Sequence, residues 1–175
     1  ALQGIPEVIT KVMGDARHLS HDILAGSFRN RLDKNAFPGE FSNLAATFNA
    51  VSDAYTQVLD IIPMPIKTSD PQKTIRFLNR EAQTAVGGNY TGEKCAAHLR
   101  SGVCGTDDCF GERCMQTKGR VSGETAMSPA AGKMDVAGTA TPLLDEKCAV
   151  AGYIEIISDI TEIKEKQATI VNVAK

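Results

Sequence analysis

Apolar residues spaced alternately three and four apart decide what the ends of this chain can become. Ile5, Ile9, Val12, Ala16, Leu19 and Ile23 form one such run. It is the a/d seam of a heptad, and Pro6 stands where a first helical turn tolerates proline. A second seam runs Phe41, Leu44, Phe48, Val51, Tyr55, Val58, Ile62 and is closed by Pro63 and Pro65. A third occupies the C-terminus through Ile160, Ile163, Gln167, Ile170 and Ala174. One amphipathic helix on a local core would also carry a stripe. Three strict seams in 175 residues predict a parallel coiled-coil homodimer.

The connector between the first two seams, LAGSFRNRLDKNAFPGE from Leu24 to Glu40, is too long for a tight helical hairpin, which needs about two to eight residues. Its length lets the chain return along the first helix and start a second one parallel to it. At 42% hydrophobic and 23% charged residues the chain is globular in composition, neither disordered nor membranous. A net charge of −2 offers no long-range attraction for nucleic acid, so no nucleic-acid partner is expected. No apolar run approaches the roughly 18 to 20 residues that span a bilayer, so membrane attachment would come only through segments outside this chain. The start at Ala1 and the stop within a helical pattern point to a piece of a longer protein. Five clustered cysteines do not form a secreted disulfide framework, and a cytoplasmic location is expected.

From Ile61 to Thr161 the pattern becomes mixed. Strands are expected at Ile66 to Ser69, Thr74 to Leu78, Arg120 to Met127, Lys133 to Leu144 and Ala149 to Ser158. Asn79 can cap a short helix, REAQTAVG, closed by Gly87 and Gly88. Asp159-Ile160-Thr161-Glu162 has the form of a capping box, in which Asp159 accepts from the first turn and Glu162 reaches back.

On these residues two resemblances arise. From Ile5 to Asp60 the proline near the start, the glycine after helix one, and GEFSNLAATFNAVSD opening helix two resemble a HAMP domain. N-R-E-A-x-x-x-x-G from Asn79 to Gly87, with D-I-T-E at Asp159 to Glu162, resembles a PAS domain. The resemblance implies an α+β fold: a five-stranded antiparallel sheet with flanking helices enclosing a pocket. Parallel HAMP-like coiled-coil helices would precede it and a signalling helix would follow. The implied division is 1–60 HAMP-like, 61–162 PAS sensor and 163–175 signalling helix. This order resembles the sensory region of bacterial methyl-accepting chemotaxis proteins. Histidine kinases and cyclic-dinucleotide enzymes share that front end. The implied function is a sensor of redox state, metal or a small ligand, with Asp159, Thr161 and Glu162 transmitting to the exit helix. The rival is a structural or dimerisation module with an empty pocket.

No catalytic motif is present: there is no G-x-S-x-G, P-loop or H-E-x-x-H, and the chain is read as no enzyme. His18 and His21 are more commonly solvated helix positions than a metal pair, and Asp107-Asp108 more commonly a turn.

KCAAHLRSGVCGTDDCFGERCMQ, Lys94 to Gln116, holds Cys95, Cys104, Cys109 and Cys114. Steps of five residues turn a helix by about 500°, so Cys104, Cys109 and Cys114 cannot share one helical face. They converge only on a looped chain, for which Gly102, Gly105 and Gly111 supply freedom. Four thiolates suit zinc or an iron–sulfur cluster, although this spacing matches no named signature. A dithiol/disulfide switch and ordinary buried thiols are the other two readings. Cys148 is expected beside a hairpin as a bystander. Since some PAS domains bind haem through one histidine, His98 is a candidate ligand for a b-type haem.

Overall fold

A computed structural model describes residues 5–130 and 132–173. The first two seams become helices α1 (Ile5–Leu24) and α2 (Glu40–Asp60), and a 3-10 turn at Lys34–Ala36 interrupts the connector. The connector runs back along α2, whose polar side chains satisfy its backbone. Thr56 Oγ1 donates to Phe28 O (3.0 Å), and the Asn49 amide takes both Leu32 N (2.8 Å) and Leu32 O (2.9 Å). Arg31 pairs with Asp53 at 2.7 Å. Near the starts of both helices Val12, Phe37 and Ala45 form one apolar cluster, flanked by Val8 and Phe41. The two helices are therefore parallel, as the connector's length implied.

The α2 seam does not face inward. The buried residues of α2 are Ala45, Ser52 and Thr56, whereas Leu44, Phe48, Val51, Tyr55 and Val58 are 38% to 58% exposed. The connector fills the groove beside α2, and it is met by small and polar side chains rather than by the apolar stripe. In α1 the seam divides, with Val12 and Leu19 buried and Ile5 and Ile9 exposed.

The middle of the chain builds β1 (Ile66–Ser69), β2 (Ile75–Leu78), α3 (Arg80–Val86), α4 (Cys95–Leu99) and α5 (Phe110–Thr117). Three strands follow, β3 (Val121–Met127), β4 (Met134–Leu144) and β5 (Val150–Asp159), and then α6 (Thr161–Val173). The sheet is five-stranded and antiparallel, in the order β2-β1-β5-β4-β3, with helices flanking it. Strand ends fall within a residue of those read from the sequence. Thr74 leaves β2 for an isolated bridge to Lys94. In the third seam Ile160 precedes α6, Ile163 and Ile170 are exposed, and Ala174 lies outside the described residues.

Neighbouring residues of a strand point to opposite faces. On β1, Lys67 faces α4 and α5 while Thr68 faces the connector, where its Oγ1 donates to Gly26 O at 2.7 Å. Gly26 sits at φ +86°, and a Cβ there would lie 2.7 Å from Thr68 Cβ, so only glycine fits. Alongside, Phe28 meets Phe77 edge-on at 5.3 Å and Arg29 lies 5.0 Å over the same ring. On the other face Ile75, Leu78, Val86, Leu99, Val136 and Ile157 form the larger core cluster.

Asn79 joins these parts. Its Oδ1 accepts from Ala82 N, capping α3, and from Ile66 N at the start of β1, both at 2.9 Å. Its Nδ2 donates to Leu59 O (3.0 Å) and Met64 O (2.9 Å), with Ile62 O at 3.4 Å. The residue is fully buried. Next to it, Asp60 accepts from Arg80 N (3.0 Å) and pairs with Arg29 (3.1 Å).

Replacing Asn79 by Ala strands buried N–H and C=O groups at roughly 1–3 kcal/mol each. We expect a net loss of about 3–5 kcal/mol in chemical denaturation. Asn79→Asp, which keeps the acceptor but turns a second oxygen toward carbonyls, should recover only part of it. A loss for Asn79→Ala below about 1 kcal/mol would contradict this account.

Candidate functional site

The four thiols of Lys94 to Gln116 do not lie at equivalent places. Cys95 opens α4 and is buried, its sulfur 3.7 Å from Tyr153 Oη. Cys104 lies in a run of turns, and Cys109 is the residue before α5. These three line one small cavity of about 30 Å³ together with Lys67, Tyr153 and Glu155. Cys114 is not in its wall. It sits fully buried in α5, its thiol donating to Gly111 O at 3.2 Å, packed with Phe110, Ala140 and Tyr153. All five cysteines are free, and Cys148 is exposed in the turn between β4 and β5.

Among the described residues no group of three or more His, Cys, Asp or Glu is placed to hold a metal ion. Burial pushes the Cys114 thiol up to about 11 and raises Cys104 as well. Cys114 stands outside the cavity that the other three line, so the four thiols do not converge on one four-ligand centre. His98 stands away from the cavities. Its ring stacks on Tyr90 (3.6 Å between centroids) and its Nε2 is 2.6 Å from Glu93, so it is not directed at an enclosed haem. Asp107 and Asp108 lie in the turn before α5.

A buried ion pair, to which the sequence reading gave no role, forms the floor of the cavity. Lys67 and Glu155 are cross-strand partners on β1 and β5, with Nζ 2.8 Å from the carboxylate. Lys67 also donates to Tyr153 Oη at 3.2 Å and lies 4.5 Å above that ring. Its side chain is 2% exposed. Burial, the largest influence, would push the ammonium's pKa down, but the Glu155 carboxylate together with Tyr153 and Cys95 outweighs it and holds the group well above its ordinary value. Burial likewise raises the Tyr153 phenol. The Tyr153 ring lies flat against the start of α5, where a Cβ on Gly111 would come within 2.4 Å of it.

A second, apolar cavity of about 140 Å³ adjoins the first. Leu78, Ala82, Val86 and Met134 line it, and Lys67, Leu99, Met127 and Ile157 stand in the walls of both. Asp159 is at its edge, where β5 turns into α6. There Asp159 Oδ1 accepts from Thr161 N (2.9 Å), two residues on, an Asx turn into the helix in place of the three-residue reach of a capping box. Glu162 does not reach back. It pairs with Lys166 at 2.6 Å, because its exposed side chain finds a cation one helical turn on. The second half of the clamp comes from β4: Asp135 N donates to Thr161 Oγ1 and Asp135 O accepts from Ile160 N, both at 2.9 Å.

Removing one partner of a buried ion pair costs about 3–5 kcal/mol, because the other charge is left uncompensated. We expect Lys67→Met to lose stability on that scale, and Lys67→Met/Glu155→Leu to lose less than the sum of its single variants; strict additivity in denaturant melts would refute the pairing. The pH dependence has a definite sign. A raised pKa contributes stability fully below its unfolded value, lost as pH rises through the folded value. Cys114 and Lys67 are both raised, so stability should fall as pH climbs past about 8.5, the unperturbed thiol value. Cys114→Ala should reduce the first part of that decline in thermal melts, the raised Cys104 thiol carrying the remainder.

No protein-family model matches the sequence, and no curated protein matches it. Solved structures do match in fold. The PAS domain of a protein from Colwellia psychrerythraea aligns at TM-score 0.55 and 20% identity, covering 64% of this chain and 98% of that one. The PAS domain of an HTR-like protein from Haloarcula marismortui aligns at TM-score 0.54 and 15% identity, covering 67% and 98%. A structure of VqmA bound to DPO aligns at 0.53 and 14%, covering 63% and 58%. The five-stranded antiparallel sheet and flanking helices of this chain form a PAS fold.

Proposed function

We propose that the chain is the non-catalytic sensor and relay region of a receptor of the bacterial methyl-accepting chemotaxis type. The apolar cavity takes a small molecule, the α1–α2 pair acts as a HAMP-like relay, and α6 carries the result onward in a homodimer. One observation carries this reading. Strand β5 supplies Ile157 and Asp159 to the wall of the apolar cavity and, after the single residue Ile160, becomes α6. The junction is held to β4 through Asp135, and Lys164 adds an ion pair to Glu124 of β3 at 3.1 Å. Movement of the cavity wall is thereby passed to the base of the exit helix. The outward seam of α2 supports the dimer, and VqmA bound to DPO supports a PAS fold as a holder of small ligands.

Apolar protein cavities of about 150 Å³ accept benzene, which makes benzene a fair probe of this one. At about a hundred times its dissociation constant it should stabilise the protein by about 2.7 kcal/mol, read as a rise in melting temperature. Hydrogen exchange in α6 should change with it. Asp159→Ala should keep the thermal shift and lose the response in α6. An unchanged melting temperature would favour the purely structural alternative, and a monomer in sedimentation at tens of micromolar would remove the coiled-coil part.

A further inference from the structure

We propose that Cys104 and Cys109 are an oxidant-closed dithiol, joined into one disulfide by hydrogen peroxide inside the small cavity beside Lys67. Its signalling meaning rests on the sensory reading above, whereas its chemistry does not, so the two fail separately.

Accessibility selects the pair. Cys95 and Cys114 are 6% and 0% exposed and fixed within α4 and α5, whereas Cys104 and Cys109 are half-buried and belong to neither helix. The two sulfur-bearing residues line the same space, whose 30 Å³ suits an occupant of about one or two waters in size. The chain between them is folded into successive turns rather than extended. Cys104 N donates to Ser101 O (3.0 Å), Thr106 N to Val103 O (3.3 Å) and Cys109 N to Thr106 O (3.2 Å). Gly105, at φ +78° with nothing within 4 Å of where a Cβ would stand, gives that segment a pivot and room to move. Cys109 caps α5, its carbonyl accepting from Arg113 N at 2.9 Å, so the turns around residue 104 are what moves as the two approach. The Lys67 ammonium faces the same space and favours a sulfur anion there, offsetting part of the burial that raises the Cys104 thiol.

The step balances without a further reactant. One thiol loses its proton and its sulfur attacks a peroxide oxygen. The O–O bond breaks, leaving a sulfenic acid and one water. The second thiol then attacks that sulfur, the S–S bond forms, and the sulfenic oxygen leaves as a second water. Two thiols are oxidised by two electrons and the peroxide is reduced by two. A dithiol reductant reverses the step.

The test uses the unaltered chain, fully reduced, exposed to hydrogen peroxide, blocked with N-ethylmaleimide and mapped by peptide mass spectrometry without reduction. The expected product is an intrachain Cys104–Cys109 link with loss of alkylation at both, restored by dithiothreitol. Cys148→Ser should leave the link unchanged, and Cys104→Ser or Cys109→Ser should abolish it. Full alkylation of both thiols after peroxide would overturn the proposal. So would a main product in which either is joined to Cys95, Cys114, Cys148 or a second chain. Because the mapping is made on the unaltered protein, a poorly folding variant does not blur the result.

Discussion

One side-chain amide decides whether this chain is one body or two. Asn79 accepts from the first residue of β1 and from the first turn of α3, and donates to carbonyls around the end of α2. Only an amide offers both a pair of acceptor sites and a pair of donors on one short side chain. A carboxylate would face those carbonyls with oxygen, and an alcohol would have too few groups. Since the residue is fully buried, water cannot take over any of these bonds. The end of α2 is thus seated on the sheet by polar geometry, and the Arg29–Asp60 pair, the Phe28–Phe77 contact and the Thr68–Gly26 hydrogen bond hold the connector beside it.

The second constraint is electrostatic. An ammonium placed among apolar side chains survives only because Glu155 lies directly opposite in the ladder and Tyr153 offers both its hydroxyl and its ring. Lys67, with Leu99, Met127 and Ile157, stands between an apolar space on one side and a thiol-lined space on the other. A change of charge on either side acts on the same two strands. β1 carries Lys67 on one face and Thr68, seated on Gly26, on the other. The strand is four residues long, so its two faces cannot move independently.

Much of the fold was legible because its signals are local. Asn79 and Gly87 bracket α3 through their own side-chain and backbone chemistry, and Asp159 stops β5 as its residue type implies. The orientation of the helices was not. A heptad stripe says that one side is apolar, without saying whether it meets its own chain, and here the connector took the other side. The site was half legible. Clustering of cysteines in one glycine-rich stretch was visible, but their separation into cavity wall and core depends on where α4 and α5 begin. Lys67 and Glu155 are each unremarkable within their strands, and they become a pair only through strand register, which no local pattern of either strand encodes.

The passage from β5 to α6 has a consequence for anything fused to α6. With only Ile160 between strand and helix, and that residue bonded to Asp135, the rotational setting of α6 is fixed by the sheet. Each added residue turns a helix by about 100°. Ile163 and Ile170, seven apart and both exposed, therefore point in a direction set at the sheet. A fusion made one residue out of phase would swing that stripe by about a quarter turn, whereas a seven-residue insertion would bring it nearly back. Splice points in this helix are interchangeable only at spacings close to whole turns, such as about seven, eleven or eighteen residues.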